Sequence, residues 1–500
     1  MINEMEGNMR ERGYFTVPLH ERSFGVEVSG DFTLPDYQNE IRRILHVTPT
    51  VLPPAKYVGD NAVEFNGTID YQILYVGSDG EMYSVPLSSD YSFSVPVEKG
   101  ADFDAISDIF ALCSVSSESV STRVSAPRRL SIRCRIRPNV RVYGRIPAIT
   151  GVNSEIDPET VYTRSCECKS VEGENAESDI ISVSGVISAS SDDMRVVCAD
   201  ASVTVGSIES GEHSIACKGN VKFNLLCISE ETGEYKTLVG NEGFEGEIDI
   251  ETDISETSVH VCGIAPELKV NVTEQGIECN AGVILGATAF KSNSVSYIDD
   301  VYSTIAECEC SMRNLAVRTL HKCATANFTL SERIPISTAQ IPENAEIICG
   351  FCNSVFDKCA LLSGKYIFTG NSVFTVVYMN DKDIYSSDVS VPVRYECDGA
   401  SGEPVFGDAL FKVEDMRLRI AEGNLCVDAE MSVCADCMGE SIVKSVDKAV
   451  FGETIQKEEG QLIVCYPASD DTLWSVAKRY KVAPTLVLGD PSTDRYVLIE

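Results

Sequence analysis

The sequence holds one tryptophan, Trp474, and five histidines among 500 residues, and its 41 lysines and arginines face 76 aspartates and glutamates. A formal charge of −35 repels phosphate and anionic lipid over most of the surface, which argues against nucleic acid as a partner. No stretch reaches the roughly 18 consecutive apolar residues that a membrane helix needs. Met1 to Arg12 is charged throughout and lacks the apolar segment of an export signal. The expectation is a cytoplasmic protein without membrane insertion. Glycine-rich phosphate loops and the Gly-x-Ser-x-Gly nucleophile motif are missing too. His20, His46, His213, His260 and His321 are scattered, with no pair at metal-ligand spacing. With no nucleophile, cofactor or metal signature, the chain reads as a binding protein rather than an enzyme.

Cysteine, by contrast, is abundant. Of the twenty present, many stand at apolar positions of strand-like runs, as Cys217, Cys227, Cys262 and Cys465 do, where a thiol packs as a small hydrophobe. Such usage fits a reducing compartment and no structural disulfide. Cys166-x-Cys168, Cys308-x-Cys310 and Cys434-x-x-Cys437 are close pairs. Zinc would need two such pairs, or one with histidines, converging tetrahedrally. Cys-x-Cys on a strand places both thiols on one face, where they pack, and packing is the expectation.

A long-period repeat organises the rest. Phe65-Asn-Gly-Thr-Ile-Asp-Tyr-Gln-Ile-Leu-Tyr-Val76 returns as Cys217 to Ile228 and again as Phe368 to Met379, with Gly67, Gly219 and Gly370 at spacings of 152 and 151 residues. After each glycine, apolar residues alternate with polar ones and then run together, the pattern of a strand entering a covered core. The glycine marks a bulge or a close backbone approach. Charged turns follow (Gly77 to Gly80, Glu230 to Gly233, Asn380 to Asp383) and predict hairpins. Later strands begin at Leu130, Ile277 and Leu425, 147 and 148 residues apart.

These signals predict a mainly β chain of tandem sandwich-like or barrel-like repeats: residues 1–150, 151–335 and 336–455, then a polar linker at Glu453 to Gly460 and a separate unit at 462–500. Before residue 460, helical turns are expected only at Asp102 to Cys113 and Val295 to Ile305. Against the overall charge, Arg128, Arg129, Arg133, Arg135, Arg137, Arg141 and Arg145 crowd one segment. Arg133, Arg135 and Arg137 share a strand face, either balanced by acids of the same chain or serving as a docking strip for an acidic partner.

The last forty residues are the most specific. Leu462 to Tyr466 predicts a strand. Leu473, Val476, Ala477 and Tyr480 recur at helical spacing, with Asp470 or Asp471 accepting from the first-turn amides. Pro484 suits the first turn of a second short helix, and Tyr496 to Ile499 a closing strand. Asp471-Thr-Leu-Trp-Ser-Val-Ala-Lys-Arg-Tyr480 resembles the Asp-Thr-Leu-x-x-Ile-Ala-x-x-Tyr core of the LysM domain, a strand–helix–helix–strand unit. LysM domains bind N-acetylglucosamine polymers such as peptidoglycan through the loops before the first and after the second helix. Here Asp470 replaces the usual glycine and Pro467 the usual valine, and Gly489 to Arg495 is short.

Three β-rich repeats before one LysM unit also resemble the SPOCS-domain proteins of spore-forming Firmicutes, on the Leu34-Pro-Asp-Tyr37 segment with Ile41 to Val47, the glycine strands and the terminal unit. The resemblance implies a non-catalytic adaptor of spore coat assembly, in the mother cell at the forespore surface, that binds a SpoIVA-like coat-basement ATPase. Leu462, Asp471, Thr472, Trp474 and Lys478 are the expected partner-binding residues, with Trp474 at the margin of the helix's buried stripe. The alternatives are peptidoglycan binding at the wall or cortex, and a carbohydrate-active enzyme with the LysM unit as its targeting module.

Overall fold

Strands dominate the computed structural model, which describes residues 13–59, 61–97, 105–151, 157–188, 194–251, 257–399, 402–456 and 462–499. The charged segment Met1 to Arg12 and residues 457–460 of the expected linker lie outside the described residues. Three times the chain builds two sheets packed face to face. In the first unit β1 (Tyr14–Ser23), β2 (Val26–Thr33), β7 (Asp108–Ala126) and β8 (Arg129–Pro147) form one sheet; β3 (Ile41–Val51), β4 (Ala55–Val58), β5 (Ala62–Gly77) and β6 (Met82–Pro96) form the other. In the second unit β9 (Val161–Glu177), β10 (Ile181–Ile187), β14 (Thr257–Thr273) and β15 (Gly276–Ser303) face β11 (Met194–Ser210), β12 (Ser214–Ser229) and β13 (Tyr235–Asp249). In the third, β16 (Ala306–Pro335), β20 (Phe406–Ala421) and β21 (Asn424–Thr454) face β17 (Glu346–Leu362), β18 (Lys365–Asn380) and β19 (Asp383–Asp398), with a four-residue helix, α1 (Ile336–Ala339), after β16. No barrel closes among the described residues.

The glycine strands β5, β12 and β18 are the central strands of their sheets, and all three hairpins form. A Cβ on Gly219 would sit 2.2 Å from the Thr204 carbonyl oxygen, and one on Gly370 2.4 Å from that of Val355. In both cases the neighbouring strand bulges at that point, between Val205 and Ser207 and between Phe356 and Lys358. Bulge and close approach are thus one feature: the extra residue pushes a carbonyl into the space that only glycine leaves.

Apolar residues at equivalent positions then join the units. Leu74, Leu226 and Val377 share one buried cluster, and Tyr143, Phe290 and Met438 share another. Ion pairs close the ring: Arg195 with Glu81 between units one and two, Lys222 with Asp415 between two and three, and Arg318 with Glu21 (2.8 Å) between three and one.

Three expectations need correction. The third unit starts at Ala306 and not at residue 336, because β16 pairs with β21 along its whole length. Val295 to Ile305 is not helical: β15 runs to Ser303 beside β9, and a bulge between Ile298 and Asp300 resets the alternation. That bulge puts Ile298 and Val301 on one face, while Val295 is buried on the other, so three residues at a spacing of three are all buried without a helix. Of Asp102 to Cys113, residues 102–104 lie outside the described residues and Ala105 is in a 3-10 turn, but from Asp108 the chain belongs to β7, whose Ala111 and Leu112 are both buried, which blurs the period of two.

The arginine run is largely balanced within the chain. Arg135 pairs with Glu118 (2.7 Å), Arg145 with Asp108 (2.6 Å), and Arg128 lies near Asp36 and Glu40. Arg141 is buried against Asp436 of the third unit. Arg129 and Arg133 remain exposed.

Candidate functional site

The C-terminal unit has its own small sheet, in the order β22 (Ile463–Cys465), β24 (Val497–Ile499), β23 (Val487–Leu488), covered by the helix α2 (Leu473–Tyr480). Thr472 caps the helix: its hydroxyl accepts from the Ser475 amide (3.2 Å), and the Ser475 hydroxyl accepts from the Thr472 amide (2.9 Å). Asp471, expected as a possible cap, instead accepts from the Arg479 guanidinium, the Ala468 amide and the Ser475 hydroxyl. Arg479 first, then the Ala468 amide, holds its carboxyl below the usual range. The second helix shrinks to one 3-10 turn, Pro484–Leu486, with Pro484 in its first turn. Within α2 the buried stripe is offset from expectation: Val476 and Ala477 are buried and Tyr480 packs on the core, but Leu473 is 43% exposed.

The offset has a cause in the second unit. Tyr302, at the end of β15, is buried in the same cluster as Cys465, Val476, Val482 and Val497, and its hydroxyl donates to the Val482 carbonyl (2.8 Å). Trp474 meets Tyr302 edge to face with centroids 5.0 Å apart, and its indole N–H donates to Asp300 (2.8 Å). Lys478, one turn on, pairs with the same carboxylate (2.5 Å). The unit therefore shares a core with β15, so 462–500 and the preceding residues are not separate bodies. Of the five expected partner-binding residues, Trp474 and Lys478 hold the unit to the protein, while Asp471 and Thr472 serve its own helix. Leu462 makes neither kind of contact and stands open, at 62% exposure.

Leu462 belongs to an apolar face. Residues 462, 464 and 466 alternate outward along β22, and Val464 pairs with Leu498, which pairs with Leu488 on the other side. Tyr466 (70% exposed) and Tyr496 (53%) continue the row with ring centroids 6.4 Å apart. Leu462, Val464, Tyr466, Leu488 and Tyr496 are all exposed on the outer side of this sheet. Within residues 462–500 five carboxylates (Asp470, Asp471, Asp490, Asp494, Glu500) face four cations (Lys478, Arg479, Lys481, Arg495), so the unit is nearly neutral on a strongly acidic chain.

A second constellation lies where the three units meet, in a cavity of about 390 Å³. Two equivalent positions on the long strands line it: Asn139, Gly286 and Cys434 at one level, Arg141, Thr288 and Asp436 at the next. On β14, Cys262 lies across from Gly286 and His260 across from Thr288. Ligand atoms of His260, Cys262 and Cys434 fall within 4.8 Å of one another. His260 Nε2 is 3.4 Å from Asp436, whose carboxylate also receives buried Arg141. Of the two thiols Cys434 is the acidic one. It accepts from Cys262, which outweighs burial, and His260 lowers it further, to about 6. Donation to Cys434, together with burial, drives the Cys262 thiol up.

Cys262 and Cys434, expected to pack on strand faces, line this cavity beside His260. Cys434 and Cys437 do not act as a pair: three residues apart on a strand they take opposite faces, Cys437 in the core between the third unit's sheets and Cys434 toward the cavity. Cys308 and Cys310 do share a face, with sulfurs 3.6 Å apart. His260-x-Cys262 was visible in sequence as two donors on one face, but their partner is 172 residues away in another unit. No helix among the described residues is long and apolar enough to cross a membrane. Comparison of the chain with protein-family models, curated proteins and solved structures finds no match.

Proposed function

We propose that the protein is a non-catalytic adaptor of spore coat assembly, acting in the mother-cell cytoplasm at the forespore surface, whose LysM-like C-terminal unit binds a SpoIVA-like coat-basement ATPase. The carrying observation is the exposed apolar row Leu462, Val464, Tyr466, Leu488 and Tyr496 on a nearly neutral unit of a chain whose remainder is strongly acidic. Exposed aromatics in a contiguous patch favour a protein partner, since such residues dominate binding energy once desolvated. Locking of the unit onto β15 through Tyr302, Trp474 and Lys478 supports the adaptor role, because the docking face is then held rigidly to the three β units.

The test is capture of the purified ATPase by the full chain and by a Tyr466→Glu, Tyr496→Glu double variant. Both side chains are exposed, so the fold is kept, and affinity should fall at least ~30-fold, the equivalent of about 2 kcal/mol. Equal binding by the variant refutes the assigned face. A wild-type chain that sediments with purified peptidoglycan and ignores the ATPase replaces this reading with glycan binding by the tyrosine pair.

A further inference from the structure

The geometry points to His260, Cys262 and Cys434 as the protein ligands of a zinc ion at the junction of the second and third units, with a fourth coordination position open to the central cavity. The donor set is one imidazole and two thiols, which selects a thiophilic ion over magnesium or calcium. A tetrahedral ion with Zn–S bonds of about 2.3 Å sets ligand atoms roughly 3.5 to 4 Å apart. The present cluster, all within 4.8 Å, closes on such an ion by small side-chain shifts.

The surroundings suit that ion in charge, orientation and room. Zn²⁺ held by two thiolates and a neutral imidazole is a complex of zero net charge, which a buried site tolerates far better than a bare cation. Asp436, 3.4 Å from His260 Nε2, supplies the carboxylate–imidazole contact by which metal-site histidines are oriented, and Arg141 neutralises that carboxylate independently. Room for the fourth ligand is left by Gly286, across the ladder from Cys262, where an added Cβ would meet nothing within 4 Å. Cys262 belongs to β14 and Cys434 to β21, so the ion would fasten two units that otherwise meet through side-chain packing and ion pairs. This site is independent of the C-terminal face and of the function proposed for it.

The full chain, purified anaerobically under reducing conditions, is measured for zinc, then stripped and titrated with zinc or cobalt(II). The expected result is one ion per chain and a thiolate-to-cobalt charge-transfer band. Cys262→Ser and Cys434→Ser should each weaken zinc binding more than about 100-fold, beyond the loss typical of an orienting neighbour, while Cys308→Ser binds as wild type. Should a serine variant misfold, alkylation of the wild-type chain decides: zinc must protect Cys262 and Cys434 and leave Cys166 as reactive as before. Absence of binding after reconstitution, full retention of the ion by both serine variants, failure of that protection, or a Cys262–Cys434 disulfide in the anaerobic protein would each overturn the assignment.

Discussion

Asp300→Ala should loosen the C-terminal unit from the body of the protein, and the only tryptophan in the chain is placed to report it. The Asp300 carboxylate receives the Trp474 indole N–H at 2.8 Å and the Lys478 ammonium. A hydrogen bond to a charged group contributes about 1.5 to 3 kcal/mol. The Lys478 pair, with the lysine side chain 40% exposed, adds at most about 1 kcal/mol after screening. Water can reach the groups left behind, so the lower end applies, and we expect a loss of about 2 kcal/mol in docking, near 30-fold in the docked-to-undocked ratio. Iodide quenching and the emission maximum of Trp474 measure it directly, since undocking withdraws the indole from Tyr302. The wild type should show the same change in acid. Burial raises the Asp300 pKa, but hydrogen bonds from Lys478 and Trp474 outweigh it and hold the carboxyl below its ordinary 3.8. Its contribution is therefore present above about pH 4 and lost as pH falls through the depressed value. Unchanged quenching in Asp300→Ala, with no shift in the urea midpoint, would refute the docking account.

His46 stacks on Phe351 across the first and third units, with ring centroids 4.3 Å apart, and burial pushes its pKa down to about 4 against the opposing pull of Asp388. Folding thus favours the neutral ring, so stability should be full above pH 6.5 and fall by up to about 3 kcal/mol as pH drops from 6.5 to 4; urea midpoints at pH 7.5 and 5 check this, and His46→Gln should flatten the slope. Arg141→Met leaves Asp436 buried without its main counter-charge and should cost about 3 to 5 kcal/mol, with Asp436→Leu on top of it restoring most of the loss in denaturation midpoints. Gly219→Ala drives a methyl into the Thr204 carbonyl and should cost about 1 to 3 kcal/mol, whereas Gly286→Ala, facing open space, should stay within about 0.5 kcal/mol by the same measurement.

The repeat was legible because strand periodicity and turn chemistry are local, and the same strand recurs in register three times, so the glycine strands, their hairpins and the starts of β8, β15 and β21 could be located from residue order alone. What local pattern could not carry was everything that depends on a bulge or on contact between units. The bulge between Ile298 and Asp300, together with burial of β15 on both faces there, imitated a helical period. The boundary after the second unit was hidden because β16, thirty residues long, has no turn signal of its own to mark it as the start of a sheet.

The C-terminal unit shows the same division. Its cap-rich turn and helix were evident from Thr472 to Tyr480, yet which face of the helix is free depends on Tyr302, 172 residues upstream of Trp474. That single tyrosine draws Trp474 inward and leaves Leu473 exposed. Likewise His260 and Cys262 could be put on one strand face from spacing, while Cys434 joins them only through the packing of the second unit on the third.

The most direct test of the adaptor account is hydrogen exchange on the full chain with and without the purified coat ATPase. The account predicts new protection confined to residues 462–466 and 487–498, with exchange at Trp474 to Tyr480 unchanged because that helix already faces Asp300 and Tyr302. Protection that appears instead on the three β units, with the C-terminal sheet exchanging as freely as in the unbound chain, would contradict it.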